Sequence, residues 1–567
     1  MSSKRLFATV VALLVVVGML LSACAPKATP VPPTPKPTAV PPTKIPPTPV
    51  PPTATPRPRV LVIAYPETPA ELDVDLLGGL GGEDILCNAY DAAFEYKVVT
   101  SSEGIPVTDI GQPGDKGVVG GLFESWQVSS DGTKLTIKIR KGVKSYYGNE
   151  FTADDFLWRV QRAWNTGFIG RFQYEVAGIT KPEDVKKIDD YTLEVTTPKG
   201  PNPVFFKSLA TVYAAPVDAK EIKKNWVTSD DPWAVEAFRQ HTFGFGPYHL
   251  ESITPGTGCV LVANPNYWKG KPYWDKIIWK EVPEASARYA LLQAGEVHYV
   301  FNSLTYEQMS ELRKGPKDQA ALFEMKKGNE GIYFAMNTTK LPFNNAGLRR
   351  ALAYAMPYDA ILNTAYQGFG VPACSWVPEI YPLSTCEFWV YKEDLNKAKE
   401  LWTAANGPKE FEILVDSSRP RDQDVAVFIK TNLAKIGVDA KIRSVPTAAF
   451  WEAFNKRTHD TLITMSLAFV ADGNYAGHLI FHSGQALNAA GYSNPEVDRL
   501  LDDSMVRFPE DPKRKEDADG FQKILADEVP EIPLLYHGFA VGVNKDLTGL
   551  IWYYDNHARY NDMHWKE

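Results

Sequence analysis

The chain has 567 residues, 44% hydrophobic and 23% charged, which excludes wholesale disorder and allows several domains with cores of their own. A net charge of −8 argues against a nucleic-acid binder, which would carry a basic excess. Five cysteines exclude a disulfide scaffold, and aromatics at 12% suit a lined cavity as well as a core.

Lys4 and Arg5 precede an apolar run from Leu6 to Leu21, shorter than the about 20 residues of a membrane span and patterned as a secretory signal. Its end, Leu21-Ser22-Ala23-Cys24, resembles the bacterial lipobox. Residues 1–23 are therefore expected to be a lipoprotein signal peptide and Cys24 the lipidated mature N-terminus; an ordinary signal peptide is the alternative. Residues 25–59 hold 15 of the 44 prolines, seven threonines and no acid. With almost nothing to bury, 24–59 reads as a polyproline-like tether that reaches roughly 110 Å at about 3.1 Å per residue. A Pro-rich partner ligand is the alternative. No later run is long and apolar enough to span a bilayer, so the body from about Val60 is expected outside the cytoplasm, at the cell surface or in the periplasm.

Val60-Leu61-Val62-Ile63-Ala64 reads as a buried strand, and Lys134 to Arg140 alternates as a half-exposed one after an Asp131-Gly132 turn. Thr152 and Asp155 open a helix carrying Phe156, Leu157, Val160 and Trp164 at helical spacing. A helix is expected over 284–294, closed by Gly295, and another over 343–362, bent or broken at Pro357. Strand 411–416, helix 423–436 ended by Gly437, and strand 438–445 imply a parallel pair with a right-handed crossover. These elements give an α/β or mixed α+β fold in several lobes.

Specific motifs follow one another in order. Gly121-Leu122-Phe123-Glu124-Ser125-Trp126, Ser130-Asp131-Gly132, Arg140-Lys141-Gly142-Val143-Lys144 and Phe151-Thr152-Ala153-Asp154-Asp155 form one block. Ala214-Ala215-Pro216-Val217-Asp218, Phe245-Gly246-Pro247-Tyr248, Asn264-Pro265-Asn266-Tyr267-Trp268 and Leu292-Gln293-Ala294-Gly295-Glu296-Val297 come next, the last with His298 where an acid is usual. Ala335-Met336-Asn337-Thr338-Thr339, Arg350-Ala351-Leu352-Ala353-Tyr354-Ala355, Gly491-Tyr492-Ser493-Asn494-Pro495 and Ile532-Pro533-Leu534 close the series. From about 60 to 545 the chain resembles the peptide/nickel family, family 5, of ABC-transporter extracellular solute-binding proteins. The resemblance implies an α/β, two-lobed periplasmic-binding-protein fold (type II, cluster C-like) with an additional inserted subdomain. Lobe I would comprise 60–100, 210–305 and 540–567, the inserted subdomain 101–209 and lobe II 306–539. It also implies a monomer that closes over a solute and meets an ABC permease with its ATPases. The chain has no G-x-x-x-x-G-K-[ST] loop and so is not the motor.

Carried over from the dipeptide-binding branch, Arg419 before Pro420 would pair with a peptide carboxylate and Asp472 with its ammonium, with Asn474 beside it. The branch continues as Asp-Pro where Gly473-Asn474-Tyr475 stands here, which leaves the ligand class open. A solvated loop charge, with Arg421 serving instead, and a turn acid are the plainer readings. Trp451, Trp376, Trp389, Tyr90 and Tyr147 are candidates to stack on sugar rings, and core packing is the alternative for each. His478 and His482 sit four apart, but no third ligand at suitable spacing is evident, so no metal is assigned. Cys374 with Cys386, and Cys87 with Cys259, are possible disulfides.

The function expected is capture of a peptide-like solute for import. An oligosaccharide binder, a ligand sensor for a membrane receptor and, last, a hydrolase are the alternatives. No G-x-S-x-G, H-E-x-x-H or Cys-rich metal frame is present, so neither enzyme nor cofactor is expected.

Overall fold

The computed structural model describes residues 59–567 apart from 77–78, 302 and 467–469. The signal peptide, Cys24 and all but the last residue of the tether lie outside the described residues. Among the described residues no helix is long and apolar enough to cross a membrane.

An 11-stranded sheet organises the body. Its spatial order is Tyr248–Thr254, Gly258–Ala263, Lys276–Glu281, Val60–Tyr65, Tyr299–Val300, Glu531–Asn544, Ala320–Met336, Thr461–Ser466, Glu410–Asp416 and Asp439–Val445, with Gly370–Pro372 paired to Glu531–Asn544. Val60–Tyr65 lies between parallel neighbours, and Leu61, Ile63 and Ala64 are fully buried, as its unbroken apolar sequence requires. The strands before Glu531–Asn544 build the first lobe, and those after Ala320–Met336 build the second.

The two long strands belong to both lobes. Residues 320–325 of one pair with 539–544 of the other in the first lobe, and residues 330–335 pair with 531–537 in the second. Between Met325 and Glu330 the register shifts, and the ladder is interrupted where the chain passes from lobe to lobe. Each lobe has its own buried cluster. Trp274, Tyr299 and Leu61 lie in the first, and Phe334, Leu352 and Ile413 in the second.

A separate four-stranded sheet, Phe123–Val128, Lys134–Ile139, Thr192–Thr196 and Val185–Asp189, forms the inserted subdomain. Lys134–Ile139 alternates as expected, with Leu135, Ile137 and Ile139 buried. Helix Ala153–Asn165 starts where Thr152 donates its N–H to the Asp155 carboxylate at 2.7 Å. Its Arg159 and Arg162 are fully buried and pair with Asp75 and Asp73 at 2.7 Å, bolting the subdomain to the first lobe. Buried charges are tolerated only when paired in this way.

Several expected boundaries move. The helix expected over 343–362 begins at Ala346, capped by Asn345 accepting from the Gly347 N–H, runs to Ala355, and after the break at Pro357 resumes over Tyr358–Ala360 and Ile361–Ala365. The helix expected from 423 begins at Pro420, because proline suits the first helical position. Strands Glu410–Asp416 and Asp439–Val445 are parallel, as the strand-helix-strand order requires.

Candidate functional site

Three of the contacts between the lobes bear on the site. At the hinge, the Glu103 carboxylate accepts the Lys326 and Lys327 N–H groups at 3.0 and 3.1 Å, serving donors that the interrupted ladder leaves over. A Cβ at Gly328 would strike the His537 carbonyl oxygen, so the crossing strand needs glycine there. Buried Asn329 donates to the Tyr554 carbonyl of the first lobe and to Tyr381 of the second.

The second contact is charged and buried. Lys207 lies in the short helix Phe205–Ser208, packed with the subdomain, and is fully buried. Its ammonium donates to the Ile110 carbonyl at 3.1 Å and, across the lobe boundary, to the Ala471 carbonyl at 2.6 Å. Burial pushes Lys207 down to about 8, and nearby Asp472 pulls it back up. Asp472 caps helix Gly473–Phe481, accepting from the Asn474 and Tyr475 N–H groups at 3.1 Å. Arg514 holds both of its oxygens, at 3.0 and 3.1 Å. Burial pushes the Asp472 carboxyl up, but Arg514 and Lys207 outweigh it and hold the group below the ordinary carboxylate range.

The third contact borders a half-open cavity of about 800 Å³. Phe172, Glu175, Thr180 and Lys199 of the subdomain face Tyr475, His478, Gln485 and Asp502 of the second lobe across it. Ligand pockets typically enclose about 300–1,000 Å³. The Tyr475 hydroxyl is buried with no hydrogen-bond partner among the described residues.

The residues expected to clamp a zwitterion are each engaged by other protein groups. Asp472 is saturated by its cap and Arg514. Arg419, 26% exposed, stands just before helix Pro420–Lys435 with Nε 3.2 Å from Asp422. Burial pushes Asp422 up to about 7 against the pull of Arg419. Asp472 and Arg419 share no partner. Arg421 is engaged separately, 4.4 Å over the Tyr306 ring and bonded to the Ala365 carbonyl at 3.2 Å. Asn474 is buried and donates to the Arg514 carbonyl at 3.2 Å.

The aromatic candidates scatter. Trp376 is core, its indole N–H donating to the Glu531 carbonyl at 3.0 Å, and half-buried Trp389 packs edge-on against it at 5.2 Å. Tyr90 is buried with its hydroxyl accepting the Phe243 N–H at 3.0 Å, although it lines a second cavity of about 270 Å³ in the first lobe. Tyr147 stacks on Phe243 at 6.3 Å. Trp451 is 42% exposed on helix Thr447–Lys456. Cys374 and Cys386 are disulfide-bonded. Cys87 and Cys259 are not: both are buried free thiols in the first-lobe core, and Cys87 Sγ instead faces the Asp555 carboxylate at 3.9 Å.

Sequence reasoning missed Lys207, Arg514 and Asp502. Lys207 carried a signal, a lone lysine inside Val204-Phe205-Phe206-Lys207-Ser208-Leu209-Ala210. Arg514 and Asp502 carried none, since charged residues on amphipathic helices are usually solvated.

Comparison with known proteins agrees with this architecture. Residues 117–488 match the model of the bacterial extracellular solute-binding proteins, family 5, middle region. Heme-binding protein A of Haemophilus influenzae is 29% identical over 447 residues, 74% of this chain and 79% of that protein. The glutathione-binding protein GsiB of Shigella dysenteriae is 29% identical over 455 residues, 76% of this chain and 82% of that protein. The periplasmic binding protein DppA of Helicobacter pylori, solved with the peptide STSA, superposes with a TM-score of 0.73 at 23% identity, covering 90% of this chain and 98% of that one. With its two-lobed α/β body and the match across most of its length, the chain belongs to the bacterial extracellular solute-binding proteins, family 5, and is a binding protein rather than an enzyme.

Proposed function

We propose that this protein captures a peptide-like solute between its lobes and hands it, closed, to a membrane permease. The observation that carries the reading is the strand pair 320–336 and 531–544, which runs through both lobes and loses its ladder bonds where they meet. An interrupted ladder is the place where a rotation between rigid bodies costs least. A solute drives closure only by binding the closed form better than the open one, and contacts from both lobes supply that difference. A glutathione-binding relative and a like-folded protein holding a tetrapeptide favour a peptide; the heme-binding relative makes ligand class the first thing to test.

Of the expected clamp, Arg419 makes no guanidinium hydrogen bond among the described residues beyond its ion pair with Asp422 and is offered to a ligand carboxylate, whereas Asp472 acts on the lobe contact. In the same reading the lobes follow the boundaries expected from sequence except that residues 320–325 join the first lobe, and Cys24 carries the lipid that tethers the body to the outer face of the cytoplasmic membrane. The test is native mass spectrometry of gently purified protein. Co-purified masses that match short peptides, with added peptide quenching tryptophan fluorescence, support the reading. A hexose ladder redirects it to a sugar and to exposed Trp451. Membrane release of a Cys24→Ala variant tests the anchor.

A further inference from the structure

We propose that His478, His482 and Asp502 form a binding site for one divalent transition-metal ion, of the zinc or nickel class, beside the subdomain–lobe cavity. Helix Gly473–Phe481 ends at His482, so the two histidines lie one turn apart on one face, with ring centroids 4.4 Å apart. Helix Pro495–Met505 supplies Asp502. Nε2 of each histidine lies 3.2 Å from the same Asp502 Oδ1, and the three atoms lie within 4.8 Å of one another. Ligand atoms each about 2.0–2.1 Å from a tetrahedral ion are about 3.3 Å apart, which both nitrogen–oxygen distances already match; the two nitrogens, within 4.8 Å of each other, reach the same separation by side-chain rotation.

The hydrogen bonding points the same way. His482 Nδ1 is 3.0 Å from the Ser483 carbonyl oxygen, which only accepts, so the ring proton sits on Nδ1. In the neutral imidazole that leaves a lone pair at Nε2, buried and without a hydrogen-bond partner among the described residues, 3.2 Å from a carboxylate oxygen. Two acceptors in opposition call for a cation between them. A backbone carbonyl on the far nitrogen is also the usual support of a metal-ligating histidine.

The surroundings favour positive charge. The site lies at the C-terminal, negative end of its helix. The Asp498 carboxylate accepts the Ser483 N–H at 2.8 Å; Asp503 also lines the cavity but is paired with Arg499 at 2.8 Å, and Lys199 faces it from the subdomain side. His478 and Asp502 also line that cavity, which leaves room for water or a further ligand in the fourth position. Two imidazoles with one carboxylate select borderline ions over magnesium or calcium, which prefer all-oxygen shells. The site does not depend on which solute the protein carries.

The test is calorimetric titration of the full chain, freed of metal and made without a polyhistidine tag, with Zn²⁺, Ni²⁺ and Mg²⁺ separately. One equivalent of Zn²⁺ or Ni²⁺ should bind at least about 100-fold more tightly than Mg²⁺. His482→Ala and Asp502→Asn should each weaken it by at least the roughly tenfold that even an outer-sphere partner is worth. X-ray absorption at the metal edge should report two imidazoles in the wild type and one in His478→Ala, with thermal unfolding as the check that each variant folds. No saturable Zn²⁺ or Ni²⁺ binding overturns the proposal and leaves a proton as the shared cation. Binding that survives His478→Ala/His482→Ala also overturns it, by placing the ion elsewhere.

Discussion

Lys207 Nζ donates to the carbonyl oxygen of Ala471 at 2.6 Å, joining the subdomain to the second lobe through a buried lysine that has no carboxylate in direct contact among the described residues. The charge that stabilises it most is Asp472, which is itself shared with Arg514, and Asp109 adds to it. The contact therefore depends on the protonation of Lys207.

The pH dependence has a definite sign. Lys207 falls from the usual 10.5 to about 8, so the unfolded chain binds its proton more readily than the folded one between those values. The burial cost is full below about 8 and fades as pH rises toward 10.5. Relative to Lys207→Met, the wild type should gain thermal stability between pH 7 and 10, by a shift on the order of a few kcal/mol in all. Parallel melting curves across that range would rule out the buried ammonium.

Asp472→Ala should destabilise the protein by about 3–5 kcal/mol, because it strands Arg514 without its counter-charge and removes a helix cap. Since the Asp472 carboxyl is held below its ordinary range, this stability is present above about pH 4 and is lost as pH falls through the folded value. Denaturant titration measures it. Undiminished stability with peptide binding abolished would return Asp472 to the ligand.

Glu531 behaves oppositely. Burial pushes its carboxyl up to about 8, and Oε1 has no partner among the described residues. A raised acid favours the fold below about 4.5 and withdraws that support as pH rises through about 8. Glu531→Gln should match the wild type at pH 4.5 and melt higher at pH 9; differential scanning calorimetry at both values decides.

Arg419→Ala should lower peptide affinity by about 10- to 100-fold, the worth of a charge-assisted bond to a carboxylate. Stability should change little, because Asp422 already sits at about 7 and can take a proton when its partner leaves. Fluorescence titration and a melting curve on one sample separate the two effects.

Much of the local architecture is legible in the residues themselves. The alternation of Leu135, Ile137 and Ile139 fixes which face of that strand is buried. Gly295 ends its helix at φ 76°, Pro357 stops another, and the strand-helix-strand run gives the parallel pair 410–416 and 439–445. These features follow from backbone sterics and from periodicities of a few residues, which a sequence displays directly.

Partnerships between distant side chains were decided by tertiary packing alone. Asp472 reads as a turn acid or a ligand clamp until helix Pro512–Glu528 brings Arg514 to both of its oxygens. His478 and His482 read as a pair without a third member until a neighbouring helix delivers Asp502. Cys87 and Cys259 share one core and remain thiols, because sharing a core does not align two Cβ atoms for a bridge. A charge's partner depends on which surfaces pack together, and no short-range pattern encodes that choice.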